Sequence, residues 1–162
     1  MRSEAARARA LRRGPGVAGF LLAHHWPGQL DRCYQLWVGQ HPLWLCARCS
    51  GIYPALFATL VIQLIWAGSY SSWDWLWLFG LPLVAVADWA FDRLSLRVSN
   101  NFWRTASGFF LGVSLGRTVY LNMIYPFNKM VVVQLLCLVG IVISVEIVAR
   151  LIKTGSRSKH MN

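Results

Sequence analysis

Cys46-Ala47-Arg48-Cys49 sets two thiols at a spacing that lets both sulfurs reach one metal ion at about 2.3 Å. Gly51, just beyond, permits a sharp turn whose backbone amides face the sulfurs. A closed tetrahedral site takes four ligands, and the preceding stretch also offers His24, His25, Cys33 and His41. Cys33 is the natural third ligand and His25 or His24 the fourth, with zinc as the first ion to consider and iron as the second. Two other readings compete: unpaired loop thiols, and a redox pair in which Arg48 lowers a thiol pKa.

Asp88 and Asp92 stand four apart, so they share one face of a helix. They could hold a divalent cation, or one could act as a general base beside Arg104, making Asp88, Asp92 and Arg104 the candidate catalytic group. The plainer reading pairs Asp92 with a nearby arginine and has Asp88 hydrogen-bond across to another helix. Arg117 lies about 20 Å beyond Arg104 along a helix axis, and an arginine at that depth costs at least about 2.5 kcal/mol. It therefore requires a partner or a polar cavity; Gln63 can offer a carbonyl, and snorkelling outward is the alternative. Glu146 precedes Arg150 by four residues, the spacing of a helix-surface ion pair. Arg97, Asn100, Asn101 and Arg104 flank a helix start and could bind a phosphate-bearing lipid head group. Contact with anionic lipids without specificity is the simpler account. Cys137 stands alone and reads as a small core residue.

Of the 162 residues, 56% are hydrophobic and only 14% charged, against roughly a quarter charged in ordinary soluble domains. That excludes a disordered chain. Sixteen basic against six acidic residues give a net charge of +10, an imbalance that a nucleic-acid binder reaches by adding many lysines to a polar surface. With this apolar content the charge instead sets orientation in a membrane, and no nucleic-acid partner is expected.

No charged residue falls between Cys49 and Trp73, so a first span is predicted over 52–66. A second covers 73–91, with Trp73, Trp75 and Trp77 as an interfacial belt and Pro82 as a kink. The third, 105–125, carries Gly108, Gly112 and Gly116 at intervals of four, a stripe that admits a close helix neighbour. The fourth is 130–151. The apolar piece 17–23 is too short to span and makes a poor signal peptide. Of the 16 basic residues, 14 then fall on one side of a four-span arrangement, leaving Lys129 opposite and Arg117 within. Both termini are accordingly expected in the cytoplasm, whose reducing conditions disfavour a permanent disulfide and favour a metal.

The strings His24-His25-Trp26-Pro27, Arg32-Cys33 and Cys46-Ala47-Arg48-Cys49-Ser50-Gly51-Ile52-Tyr53 resemble the signature of a small membrane-protein family, domain of unknown function 2085. The resemblance covers about 21–116. It implies an acidic residue near the end of the second span, matched by Asp88 or Asp92, and an Asn-x-x-Arg-x-x-Ser/Thr-Gly segment, matched by Asn101 to Gly108. It implies a shared site on the cytoplasmic face and no particular activity.

The expectation is an all-α, multi-pass protein of the cell membrane with four transmembrane helices. A basic arm (1–16) precedes a cytoplasmic Cys/His-rich loop module (17–51), the bundle (52–151) and a basic tail (152–162). Its partners are the lipid bilayer and, at the Asn101 region, anionic head groups. A four-ligand zinc site favours a structural or transport role; an open coordination position beside Asp88 would favour a metalloenzyme acting on a lipid or phosphate-bearing head group.

Overall fold

The computed structural model describes residues 27–38, 41–66, 69–94, 96 and 99–159. A 3-10 turn, Pro27–Arg32, leads into strand β1 (Cys33–Val38), which pairs antiparallel with β2 (His41–Cys46). The stretch expected to be loop-rich is thus a β-hairpin, and the protein is mostly rather than wholly helical. Tyr34, Trp37 and Val38 in β1 and Trp44 in β2 favour the pleated form, and Pro42 is tolerated because a two-stranded ribbon leaves outward positions that need no N–H donor.

Helix α1 (Ala47–Trp66) continues from β2 without a break, so Cys49 and Gly51 are already helical and Gly51 makes no sharp turn. A π-helical turn, Leu76–Gly80, runs into helix α2 (Leu81–Arg93), with Trp75 and Leu81 at its ends both right-handed helical. Pro82 sits just after this turn. It cannot donate a backbone hydrogen bond, and its ring crowds the carbonyl four residues back, so the widened turn takes up the disturbance expected as a kink. Helix α3 (Asn101–Ile124) starts four residues earlier than expected, and helix α4 (Lys129–Lys159) follows a short turn.

The core lies around α3, whose buried residues include Arg104, Ser107, Gly108, Gly112, Gly116 and Arg117. A Cβ atom on Gly108 would strike the Arg48 carbonyl, one on Gly112 that of Ile52, and one on Gly51 that of Thr105. The glycine stripe therefore serves α1, and Gly51 answers from the other helix, so the two backbones approach as small-residue interfaces allow. On the α4 side, Thr118 Oγ1 donates to Gln134 Oε1 at 2.9 Å, and Gln134 Nε2 donates to Ser114 Oγ at 3.3 Å, all three buried.

Helix α1 and the segment Lys129–Ile152 of α4 are long and apolar enough to cross a membrane. Ile62, Leu64 and Ile65 on α1 and Leu136, Val139 and Ile143 on α4 are exposed, and such continuous apolar surface suits hydrocarbon rather than water. Cys137, expected in the core, is exposed on α4.

Candidate thiol and ion-pair site

The hairpin sets Cys33 opposite Cys46. Pairs along an antiparallel ladder alternate in class, and Trp37↔Pro42 stands four positions from Cys33↔Cys46. Pro42 has no N–H to exchange, so both pairs belong to the class without hydrogen bonds, in which opposed Cβ atoms lie closest, about 4.5–5.5 Å apart. Cys49 follows in the first turn of α1, where its thiol shares a hydrogen bond with that of Cys46. No disulfide joins the cysteines, and Cys33 and Cys46 are buried. Burial, with Cys46 and Asp31 adding to it and Arg104 opposing, pushes the Cys33 thiol up to about 11.

The donor chemistry of three thiols suits zinc. Among the described residues no group of three or more His, Cys, Asp or Glu is arranged to hold a metal ion. His24 and His25 lie outside the described residues.

Polar groups of α2 and α3 lock this hairpin in place. Asp88 receives hydrogen bonds from the Arg48 guanidinium, from Ser99 Oγ at 2.6 Å and from Ser107 Oγ at 3.1 Å. Asp92 instead pairs with Arg104 at 3.1 Å and Arg32 at 3.2 Å. The two carboxylates share a helix face, yet each answers different cations, so they do not jointly frame a divalent-ion site. Arg104 is buried and also donates to the Ser99 carbonyl at 3.1 Å. Asn101 Nδ2 donates to the Asp31 carbonyl at 3.0 Å, Tyr34 Oη donates to the Asn101 carbonyl at 3.1 Å, and Thr105 Oγ1 donates to the Ala47 carbonyl at 2.8 Å. Asn100 caps α3 by accepting from Trp103 N at 2.9 Å. The groups expected to bind an anion are therefore engaged within the protein, apart from Arg97, which lies outside the described residues. Among the described residues, Arg48 Nε is the buried side-chain polar atom without a partner.

At the opposite end of the bundle Arg117 finds the partner its depth requires. Its Nε and Nη2 donate to Asp74 at 2.7 and 2.9 Å, Nη1 donates to Gln63 Oε1 at 3.2 Å, and Nη2 also reaches the Ser69 carbonyl at 2.9 Å. Gln63 was legible in the sequence and Asp74 was not. The available signal was that Asp74 is the one acid, and Arg117 the one arginine, at that end of the four-span arrangement. Glu146 pairs with Arg150 at 3.2 Å as its spacing implies, and also takes a two-point contact of 2.8 and 2.7 Å from Arg93 on α2.

A family model described as a predicted membrane protein, domain of unknown function 2085, matches residues 30–118, more than half of the chain. The chain belongs to this family. The matched region holds the hairpin, the three thiols of its base, α1, α2 and most of α3, together with Asp74, Asp88, Asp92, Arg104 and Arg117. His24 and His25 precede the family region, and α4 follows it. No curated protein and no solved structure matches the chain.

Proposed function

We propose that this member of the family is a four-span protein of the cell membrane whose hairpin forms a cytoplasmic-face zinc module with a structural or transport role. Cys33, Cys46 and Cys49 are the thiol ligands, and His25 or His24 completes the set. The observation that carries the reading is the Cys46–Cys49 contact at the hairpin's entry into α1, with Cys33 in the paired register beside it. When bound, the metal supplies a cross-link between β1, β2 and the first turn of α1. A structural rather than catalytic role is favoured because Asp88, Asp92 and Arg104, the residues available to assist a reaction, are each held in ion pairs.

Protein purified in mild detergent and analysed for elements should contain about one zinc per chain. Cys46→Ser and Cys49→Ser should each lose it and yield less folded protein, because metal affinity at such a site is also folding free energy. A metal-free wild type with a reversible Cys46–Cys49 disulfide would sink the zinc reading and leave thiol redox chemistry in its place.

A further inference from the structure

A cavity of about 910 Å³ opens between α1, α3 and the chain entering α2. Its lining divides by chemistry. Its apolar lining includes Ile62, Trp77, Phe109 and Val113, and Ile62, Trp77 and Phe109 are each exposed despite being apolar. At the end beside the 69–71 segment lie Gln63, Ser71 and the Arg117–Asp74 pair. The volume is that of a site for one ligand of drug size or somewhat larger.

The polar end is specific in its hydrogen-bonding character. Arg117 and Asp74 neutralise one another, so the floor has no net charge to select an anion. Gln63 commits its Oε1 to Arg117, which makes its Nε2 a donor, and Ser71 Oγ accepts from Trp73 N while retaining its own proton to donate. A neutral floor of donors matches acceptor oxygens such as ester carbonyls. Apolar walls at membrane depth match a hydrocarbon chain.

We propose that this cavity is a binding site for one diacyl lipid of the surrounding leaflet, held by its ester region at Gln63 and Ser71 with an acyl chain along Ile62, Phe109 and Val113. The inference rests on the four-span reading and is independent of the metal. Recognition through the esters means that head-group charge contributes little, because the charges of Arg117 and Asp74 at the floor cancel.

The test is native mass spectrometry of the full chain in detergent, titrated with phosphatidylglycerol and with phosphatidylethanolamine of the same chain length. Both lipids should bind at one per chain with affinities within about threefold of each other, as expected where no net charge faces the ligand. Val113→Trp and, at the exposed rim, Ile62→Trp should each weaken binding by about tenfold or more, the loss of roughly one good contact. Val139→Trp on the exposed face of α4 should leave it unchanged, and elemental analysis should show the same metal content in all variants. Equal lipid retention by wild type and both cavity-filling variants would overturn the proposal. So would a preference of about a hundredfold for the anionic lipid, or a wild-type dimer that the filling variants dissociate. Release of the protein from membranes by alkaline carbonate without detergent would instead refute the four-span reading itself.

Discussion

Arg117 and Asp74 retain only 8% and 2% of their side-chain exposure, so two opposite charges have been taken out of solvent together. Removing one partner leaves the other buried and uncompensated, which typically costs about 3–5 kcal/mol, whereas replacing both by apolar residues is far less harmful. Asp74→Asn should therefore lower the thermal unfolding temperature in detergent sharply. Asp74→Leu combined with Arg117→Met should recover most of the loss, and a double variant no more stable than the single would contradict this account of the pair. The depth of Arg117 made its need for a partner legible in the sequence. The identity of that partner was not, because Asp74 stands beside Trp73 and Trp75 and reads as the polar end of an interfacial belt. The same limit applies to Asp88 and Asp92: spacing places them on one face, but the choice of Arg48 for one and of Arg104 and Arg32 for the other depends on how three helices and a hairpin meet. Cys137 shows the reverse error, since a cysteine in an apolar run gives no sign of which helix face the bundle covers.

Helix α3 carries most of the packing, and its glycines test that role directly. At Gly112 an added Cβ meets the Ile52 carbonyl and lies 2.8 Å from Ala55 Cβ, whereas at Gly140 on α4 nothing lies within 4 Å. Gly112→Val should separate α1 from α3 and lower the recovery of monodisperse folded protein. Gly140→Ala should be neutral or stabilise by up to about 1 kcal/mol, the propensity difference between the two residues within a helix. Size-exclusion profiles and melting curves of the two variants should diverge, and equal tolerance at both positions would remove the close α1–α3 approach from the account. The glycine repeat was visible in the sequence because a period of four maps onto one helix face; which helix it receives was not. The hairpin escaped for a different reason. Leu36-Trp37-Val38 and Leu43-Trp44-Leu45 are short unbroken apolar runs rather than the alternation that marks a half-buried strand, and the chain passes from β2 into α1 at Ala47 with no polar linker to mark the boundary.

On the scale of the whole molecule, α1 and α3 begin beside the hairpin and α2 ends there, as the contacts of Asp88 with Arg48 and Ser107 require. The Arg93–Glu146 pair brings the later part of α4 toward the same end. Alternating helix directions therefore gather Arg32, Arg48, Arg93, Arg104 and Arg150 at one end, while at the other Asp74 cancels Arg117 and leaves Lys129. On the four-span arrangement proposed above, retention of lysine and arginine on the cytoplasmic side would place this end in the cytoplasm. Reporter fusions within the 69–72 segment and near Pro126 should report an external location, and fusions after Lys159 a cytoplasmic one. Lysine substitutions at Ser69 and Ser71 would work against this bias and should lower the external signal from the first fusion. A cytoplasmic signal from the 69–72 segment of the unaltered chain would break the four-span reading. It would also remove the reducing environment on which the proposed metal binding by Cys33, Cys46 and Cys49, rather than disulfide formation between them, depends.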